Sequence, residues 1–416
     1  MSVQTQISRI TAAVGAAYDA VTAKGGTTPQ AETVAGLADA IGTIPTGGSS
    51  APGTPGDITF YDYDGTIVTS WTLEELATKT ALPDYPSHEG LTCQGWNWSL
   101  ADLKTTNRKM NVGAMYITDD GKTRIYIRLE EGRTSPMLGV CPNGTVTVDW
   151  GDGTTPDTLT GTSTSTVKWT PNHAYASPGE YVIKLSVDGA MGFYGAKATY
   201  GGSGILRYSS DSDGRNRAYQ SGIKKIEIGD GITRIGGYAF GNCYALASVT
   251  IPTSVASIGI YAFVECYALA SVAIPNGVTS IESNTTRDCN SIATVAIPNG
   301  VTKIKSSAFS GCYALASVTI PNSVTSITGY AFYLCHSLAS VTIPNSVTSI
   351  DTNTFDKCIG AAFYDFTDMA SVPKLVNTNA FTGIPSDCEI RVPAALADEW
   401  KAATNWATYA DHIVGV

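Results

Sequence analysis

Apolar residues in the second half of the chain recur with a period of 23 residues. Six cysteines from Cys243 to Cys358 stand at this interval, and the columns of Phe240, Leu246 and Ile251 repeat with them. The unit reads I-x-x-x-A-F-x-x-C-x-x-L-x-x-V-x-I-P-x-x-V-x-x, and Thr286 replaces the Phe in one copy. A fixed period of this length is typical of a solenoid whose stacked coils share one core.

Each segment of the unit predicts a local structure. V-x-I predicts a short β-strand with both apolar side chains on one face, and the following proline ends it because proline has no N–H for a ladder. A-F-x-x-C-x-x-L has apolar residues at three-residue spacing, which favours a short helix or 3₁₀ turn. We interpret the cysteine column as small buried hydrophobes. A metal or redox ladder is the alternative, but it lacks clustered His or acidic partners.

These columns closely resemble the BspA-like leucine-rich repeats, a family of bacterial and viral surface-adhesion modules. The likeness covers about residues 221–360 and implies a solenoid at 223–360. Residues 361–416 are similar to the family's C-terminal cap, without which the last coil would expose its apolar face. The side chains expected to close that end are Phe381, Ile384, Ile390, Val392, Trp400, Trp406 and Ile413.

The copies differ mainly at three positions before A-F, at two after it and at one after the cysteine. These positions flank buried residues, so we expect them to face solvent opposite the strand as a binding face rich in Tyr and Asn, like antibody paratopes. The candidates are Tyr238, Asn242, Tyr244, Tyr261, Glu265, Tyr267, Asn284, Arg287, Asp288, Asn290, Tyr313, Tyr330, Tyr333 and His336. Unrestrained drift of exposed positions is the alternative, and diversification by a retroelement is a further hypothesis.

The N-terminal residues 1–46 carry two short amphipathic patterns, at 7–21 and 34–44, separated by a Lys-Gly-Gly stop. Each is under three heptads, so the helices need a partner or self-association. The segment resembles N-terminal helical segments of bacteriophage tail proteins, which implies attachment to other tail proteins or a homo-oligomer. Residues 47–56 form a Gly/Ser/Pro linker.

Residues 57–110 resemble the small β-grasp-like repeats found beside leucine-rich repeats in internalin-type proteins. The likeness rests on an opening strand, the Asp64-Gly65 turn and the closing GLTCQGW. Trp96 and Trp98 alternate, so one is expected in the core and the other outside it. Packing is the preferred role for both, and a carbohydrate platform is the alternative.

Residues 111–190 contain DWGDG at 149–153, HAY at 173–175 and GEY at 179–181. These motifs resemble the PKD domain, an immunoglobulin-like β-sandwich. Asp149 and Asp152 are interpreted as turn residues that bond their own backbone, with calcium binding as the alternative. The connector, 191–222, includes Asp211 and Asp213, which lack the remaining ligands of a calcium loop.

Composition narrows the function. The net charge is −10, which argues against nucleic acid, whose binding rests on Lys/Arg contacts with phosphate. No apolar run approaches the ~20 residues of a membrane span, so we expect no membrane insertion. The N-terminus does not read as a secretory signal, and release by another route, such as lysis, is expected. Nine cysteines without CxxC argue against a disulfide framework or a zinc site.

No catalytic motif such as HExxH, GxSxG or a P-loop is present, so we expect no enzyme, no cofactor and no metal site. The predicted fold is mostly β and multidomain: short N-terminal helices, β-grasp-like and immunoglobulin-like (PKD) domains, then a leucine-rich-repeat solenoid with a C-terminal cap. The predicted function is structural and adhesive, as a phage tail-associated protein that contacts a host cell-surface protein or glycan. The alternatives are a bacterial cell-surface adhesin and a purely structural virion protein.

Overall fold

The computed structural model describes residues 57–106, 109–193, 204–207 and 222–416. The predicted helices at 7–21 and 34–44, the linker at 47–56 and most of the connector lie outside these ranges, as do Asp211 and Asp213. Within the described ranges, strands predominate and no helix has both the length and the apolarity to cross a membrane. The mostly β prediction is confirmed.

A four-stranded mixed sheet, which we term the small β domain, opens the described chain. Its elements are β1 (Ile58–Tyr61), β2 (Ile67–Trp71), α1 (Leu73–Thr78), β3 (Leu91–Trp96), α2 (Leu100–Thr106) and β4 (Met110–Thr118). The strand order is β2-β1-β4-β3, with β1 and β4 parallel at the centre. Since β4 is a full member of this sheet, the small β domain extends to Thr118 and not only to the predicted boundary at 110.

Both tryptophans of the small β domain are buried. Trp96 packs edge-on against Phe60 with ring centroids 5.0 Å apart, as the alternation of this segment predicts. Trp98 is only 2% exposed, so the expectation that one of the two lies outside the core is wrong. The reason is long-range, because the indole of Trp98 lies against the solenoid and donates a hydrogen bond to the Ile297 oxygen.

A larger antiparallel sheet follows. Its strands are β5 (Thr123–Leu129), β6 (Met137–Asp149), β7 (Asp157–Thr162), β8 (Lys168–Trp169), β9 (Gly179–Phe193) and β10 (Leu206–Arg207). The long strands β6 and β9 pair along most of their length, with Val146 opposite Val187. The Asp149 carboxylate accepts from the Gly151 N–H at 2.9 Å, and Asp152 accepts from Thr154 at 3.1 Å. These bonds confirm that both residues are turn residues.

The larger sheet continues directly into the solenoid. Strand β5 pairs antiparallel with β11 (Ile223–Glu227), and the end of β9 pairs parallel with β12 (Ile232–Ile235). The predicted boundary at 190 therefore falls inside β9. This arrangement also covers the N-terminal end of the repeat core, which would otherwise expose apolar side chains to water.

The solenoid is built on two parallel sheets. The first, the strand face, contains β15 (Ser271–Ala273), β17 (Thr294–Ala296), β19 (Ser317–Thr319), β21 (Ser340–Thr342) and β23 (Phe363–Asp365). On the same side of the solenoid, β13 (Ser248–Thr250) precedes β15 and pairs with β11 of the larger sheet. The second contains β16 (Ser280–Ile281), β18 (Lys303–Ile304), β20 (Ser326–Ile327), β22 (Ser349–Ile350) and β24 (Lys374–Leu375). The preceding strand, β14 (Ser257–Ile258), pairs instead with β12. Equivalent residues of successive coils are in register, such as Val318 with Val341. The strand predicted for V-x-I is present, but it ends one residue before the Ile, as at Ser248–Thr250, and the Ile side chain is nevertheless buried.

The third side of each coil is a run of turns and not the predicted helix. It is closed by single i→i+3 bonds, such as the Leu246 N–H to the Cys243 oxygen at 3.0 Å, which agree with the predicted alternative of a 3₁₀ turn. We term this side the turn face; it comprises 236–244, 259–267, 282–290, 305–313, 328–336 and 351–359. Two residues four positions apart in each coil have positive φ, as at Tyr238 (58°) and Asn242 (62°). A helix needs consecutive residues with negative φ, so this spacing prevents one.

The C-terminal cap extends the first sheet with β25 (Glu389–Val392) and β26 (Ile413–Gly415). Between them lie η1 (Ala394–Leu396), α3 (Ala397–Ala402) and η2 (Trp406–Tyr409). Trp400 and Trp406 are buried with ring centroids 4.6 Å apart. The predicted closing residues are all in the core, with Ile384 partly buried at its edge, so the predicted cap is confirmed.

Candidate functional site

The strand face of the solenoid is occupied by the chain's own small β domain. The Asn97 amide donates to the Ala296 oxygen at 3.1 Å, and the Asn111 N–H donates to Thr319 Oγ1 at 3.1 Å. A Cβ built on Gly113 would lie 3.0 Å from the Cβ of Ala273. The two backbones therefore approach as closely as glycine permits, and this part of the strand face is closed to a partner.

The turn face is held by main-chain hydrogen bonds between coils. The N–H of Phe240 donates to the Ala262 oxygen at 2.8 Å, and Phe263 donates to Thr285 at 2.8 Å one coil later. The positive-φ residues take part, since Asn242 donates to the Val264 oxygen at 2.7 Å. Each turn is thus fixed by its neighbour, and side chains on this face project from a rigid backbone.

Eight of the twelve positions in the two positive-φ columns of the six coils carry a residue other than Asn or Gly. The columns are 238, 261, 284, 307, 330 and 353, and 242, 265, 288, 311, 334 and 357. Tyr occurs at 238, 261 and 330, although a left-handed conformation costs a bulky L-residue about 1–2 kcal/mol. Stability alone would favour Gly or Asn at these positions. Strained non-Gly residues cluster at functional sites, which favours a binding role for the tyrosines over drift.

The aromatic side chains stack along the solenoid axis. Tyr238 stacks on Tyr261 with centroids 4.6 Å apart, and Tyr244 stacks on Tyr267 at 4.9 Å with an interplanar angle of 6°. Tyr313 stacks on His336 at 4.9 Å and 20°. The coil spacing of a parallel sheet, about 4.8 Å, sets these distances. The candidate residues therefore form ordered columns.

Polar groups tie the columns together. Glu265 accepts hydrogen bonds from the hydroxyls of Tyr244 at 3.3 Å and Tyr267 at 3.4 Å. Burial, with the neighbouring Glu265 charge, raises the pKa of the Tyr267 phenol, so that hydroxyl stays a neutral donor. In the next coil, Arg287 pairs with Asp288 at 3.1 Å. Arg287 is exposed and Asp288 is partly exposed, so this coil presents polar side chains between neighbouring coils that present aromatic ones.

The predicted site residues differ in exposure. Tyr267, Arg287, Tyr313 and Tyr330 are exposed. Those partly exposed are Tyr238, Tyr244, Tyr261, Glu265, Asn284, Asp288, Asn290, Tyr333 and His336. Asn242 is the exception at 5% exposed, so its predicted role as a solvent-facing contact is wrong. Its side chain instead accepts from the Tyr244 hydroxyl at 3.3 Å, and the neighbouring coil covers it.

Two residues of the turn face were not selected from the sequence. Lys357 Nζ lies 5.7 Å from the Tyr333 ring centroid, at cation–π distance, and Ile260 is 46% exposed beside Tyr261. Both occupy varying positions of the repeat. Ile260 could have been selected from the sequence, because an apolar residue at a varying, solvent-facing position indicates a possible contact.

The histidines and cysteines have structural surroundings. His88 bonds Asp62 at 2.7 Å, and His173 bonds Asp152 at 2.8 Å while it stacks on Trp150. In the ladder, the Cys312 thiol donates to the Thr286 oxygen at 3.3 Å, and burial raises its pKa well above the usual value. Across the described ranges, no group of three or more His, Cys, Asp or Glu could hold a metal ion.

The family model described as a BspA type leucine rich repeat region matches six copies, at residues 214–336 and 302–396. No curated protein is found to match the sequence. Among solved structures, a T. pallidum leucine rich repeat protein is 28% identical (TM-score 0.35), with 37% of this chain and 72% of that chain covered. A leucine-rich repeat protein from Bacteroides ovatus is 22% identical (TM-score 0.33), with 50% and 70% covered. A leucine rich cell surface protein from Faecalibacterium prausnitzii is 25% identical (TM-score 0.22), with 42% and 68% covered.

These findings agree with the predicted repeats in residues 223–360. They give no support for the PKD likeness of residues 111–190 or for the phage-tail likeness of residues 1–46.

Proposed function

We propose, from the premise that the solenoid is a BspA-type leucine-rich-repeat region, that the protein is a non-enzymatic recognition and adhesion protein of the cell surface. Its binding surface is the turn face, and its partner is a cell-surface protein or glycan. The proposal rests mainly on one observation: among the described residues, the small β domain covers part of the strand face, whereas aromatic side chains of the turn face stay exposed.

The covered strand face supports this choice directly. Trp98 and Asn97 hydrogen-bond main-chain oxygens of the solenoid at 3.0 and 3.1 Å. Thr319 lies between Val318 and Ile320, whose side chains point into the core, so its own side chain points out of the solenoid. It is nevertheless buried, because the small β domain covers it. A partner would have to displace these contacts to reach that part of the sheet, whereas Tyr267, Tyr313 and Tyr330 are exposed without any rearrangement.

The composition of the turn face is the second support. Tyr supplies a large amphipathic contact area with few rotatable bonds, so little conformational entropy is lost on binding. The backbone ladder between coils fixes the side chains in advance, which also lowers the cost of binding. The non-enzymatic part of the proposal rests on the sequence, in which no HExxH, GxSxG or P-loop motif occurs.

Our second proposal is that the protein is a component of a phage tail, and it rests on the sequence of residues 1–46. Two short amphipathic patterns at 7–21 and 34–44 need a partner or self-association to bury their apolar sides. In a virion, these residues would dock onto other tail proteins, and the solenoid would face the host. The purified full chain would then form oligomers or bind tail proteins, and deletion of 1–46 would abolish both while the solenoid stayed folded.

The main proposal is tested by binding of the labelled full chain to a panel of intact bacteria. The strand face would be bare in an isolated solenoid, so the small β domain must be retained. The test variant is Tyr238→Ser/Tyr261→Ser/Tyr330→Ser; serine already occupies this column at Ser307 with a φ of 56°. The control is Ala247→Ser/Ala316→Ser/Ala339→Ser, three exposed positions beyond the turn face.

Strain-selective binding that is lost in the tyrosine variant and kept in the control would support the recognition role. Equal binding by both variants would move the site away from these tyrosines. Absence of binding to every strain and to envelope glycans would contradict the adhesion function. Release of sugar from bacterial polysaccharide by the purified protein would contradict its non-enzymatic character.

A further inference from the structure

The solenoid has one joint between coils at which both of its sheets are interrupted. Strand β13 pairs with β11 and strand β14 pairs with β12, all on the N-terminal side of that joint. The seven-stranded sheet begins only at β15, and the five-stranded sheet begins only at β16. Each other pair of neighbouring coils from β11 to β24 keeps a ladder on both sheets. We term the position between the coil of β13 and β14 and the coil of β15 and β16 the open joint.

The turn face, in contrast, is continuous across the open joint. The Phe263 N–H donates to the Thr285 oxygen at 2.8 Å, and the equivalent bond at a joint with intact ladders, from Phe309 to the Ala331 oxygen, is 2.9 Å long. One side of the coil is therefore tied to its neighbour by main-chain bonds, and the other two sides lack a ladder. This is the arrangement of a hinge whose axis follows the turn face.

The core lacks one phenylalanine immediately beyond the open joint. Phe240 packs on Phe263 with ring centroids 5.5 Å apart, and Phe309 packs on Phe332 at 5.3 Å. Thr286 stands between these two pairs in the same column, and its side chain is shorter than the ring it replaces. The stack of rings in the core is therefore broken at this point.

A small cavity lies where the ring is missing. Its volume is about 10 Å³, the least that admits a water molecule. Ile258 lines it from one side of the open joint, and Ile281 and Thr286 line it from the other. Ser280 lines it as well, and its buried hydroxyl has no hydrogen-bond partner. Missing packing contacts and an unpaired hydroxyl both lower the free energy needed to separate the two coils.

The small β domain spans the open joint from outside. On the N-terminal side, Gln94 of β3 accepts hydrogen bonds from the Thr253 N–H at 2.9 Å and from the Thr253 hydroxyl at 3.3 Å. On the other side, the Ser271 hydroxyl donates to the Tyr63 oxygen at 2.7 Å. The same small domain is thus bonded to both coils at the place where these coils lack a ladder of their own.

We infer that the open joint is a hinge of the solenoid and that the small β domain is the strap that keeps it closed. With the strap in place, its hydrogen bonds replace the missing ladder. Once the strap is released, the two parts of the solenoid bend about the turn face. Tyr238 and Tyr261 lie on one side of the joint, and Tyr313 and Tyr330 lie on the other, so bending changes the angle between the two groups of tyrosines.

The test measures distances between pairs of spin labels in the full chain by pulsed electron paramagnetic resonance. Labels at Ala256→Cys and Thr325→Cys lie across the open joint, whereas labels at Thr279→Cys and Thr348→Cys do not cross it. All four positions are exposed, and each pair spans three coil steps, about 14 Å. Cys93→Ser is included throughout, because Cys93 is partly exposed and the other native cysteines are buried.

The strap is weakened by Gln94→Ala/Ser271→Ala, which removes the hydrogen bonds on both sides of the open joint. The control is Thr92→Ala/Ser340→Ala. The Thr92 hydroxyl bonds Asp119, next to β4, and not the solenoid. Ser340 is the equivalent of Ser271 at a joint whose strand-face ladder is intact. The two double variants therefore differ in whether they release the strap.

We expect the distance distribution of the Ala256/Thr325 pair to widen at least about twofold in the strap variant. The Thr279/Thr348 pair should stay unchanged, and the control variant should widen neither pair. Thr286→Phe added to the strap variant should narrow the distribution again, because the ring fills the cavity. Thr286→Val, which leaves the cavity in place, should not narrow it.

Equal distributions for the two label pairs in the strap variant would overturn the hinge, whether both widen or neither does. Widening across the open joint in the control variant would overturn the role of the strap. Equal effects of Thr286→Phe and Thr286→Val would overturn the part assigned to the cavity. None of these substitutions changes a tyrosine of the turn face, so the outcome is independent of the cell-binding test of the preceding section.

Discussion

The indole N–H of Trp98 donates a hydrogen bond to the main-chain oxygen of Ile297, 3.0 Å away, across 199 positions of sequence. This bond joins the small β domain to the strand face of the solenoid. It lies beside the Asn97–Ala296 bond and the close approach of Gly113 to Ala273. Together these contacts make the small β domain a fixed cover of the solenoid, and their strength can be measured.

Trp98→Phe should loosen that cover. The change keeps an aromatic ring but removes the donor to Ile297, and the loss of a buried hydrogen bond costs about 1–3 kcal/mol. We expect faster hydrogen exchange in β17 and β19 and a lower free energy of unfolding. Trp96→Phe is the control, because Trp96 donates to Pro83 within the small β domain. Equal exchange in both variants would show that Trp98 does not hold the cover.

Gly113→Ala should destabilise the same contact by overpacking. The added Cβ would lie 3.0 Å from Ala273 and 3.1 Å from Ala296, closer than side chains normally pack. We expect a loss of about 1–3 kcal/mol in chemical denaturation. The double variant Gly113→Ala/Ala273→Gly should recover part of it, and a double-mutant cycle measures the coupling. Strict additivity of the two changes would argue against direct contact.

Ser307→Gly should stabilise the protein, although most glycine substitutions destabilise. Ser307 has a φ of 56°, a conformation that costs an L-residue about 1–2 kcal/mol. The greater freedom of glycine in the unfolded chain offsets about 0.5–1 kcal/mol, so a small net gain is expected. Ala316→Gly, at an exposed position without positive φ, should lower stability instead. Thermal denaturation of the two variants tests the opposite signs.

Thiol reactivity should distinguish Cys93 from the other eight cysteines. Cys93 is partly exposed, and the rest are buried. We expect iodoacetamide to modify only Cys93 in the native protein and all nine thiols in denaturant, as counted by mass spectrometry. Rapid native labelling of any cysteine from Cys243 to Cys358 would contradict the interpretation of the ladder as a packed core.

The pH dependence of that labelling has a definite direction. Burial raises the pKa of the Cys93 thiol above its usual value, and the thiolate is the reactive form. The labelling rate of Cys93 should therefore rise at higher pH than that of a free cysteine. N-acetylcysteine under the same conditions provides the reference, and a rate that saturates at lower pH than the reference would contradict the burial.

The repeat could be predicted because its information is local and is repeated six times. Val, Ile, Phe and Cys columns mark the inward positions, and the buried side chains of Phe263, Cys289 and Val318 agree with them. The cap residues could also be predicted, since a solenoid needs an end. The helix predicted for A-F-x-x-C-x-x-L was wrong because the spacing of apolar residues does not indicate the sign of φ. The positive φ at Tyr238 and Tyr261 could not be foreseen, since a glycine usually marks such a position and neither residue is one.

The exposure of the candidate site was predicted from flanking positions, and thirteen of the fourteen residues keep at least partial exposure. Asn242 does not, because its burial depends on the neighbouring coil. The stacking of Tyr244 on Tyr267 and the interruption of that column at Asn290 follow from the column register once coils are stacked. How deeply each of these side chains is buried depends on contacts between neighbouring coils, and the sequence of a single repeat does not determine those contacts.

The sequence by itself determined the 23-residue coil, the inward columns and the position of the cap, because these depend on residues within one coil and its neighbours. Only the tertiary structure decided that the small β domain covers the strand face and that β5 and β9 continue into the solenoid sheets. Trp98, Asn111 and Gly113 carry no periodic pattern; their roles come from shape and hydrogen-bond complementarity between segments about 200 residues apart. Among the described residues, that complementarity covers part of the strand face and leaves the turn face uncovered.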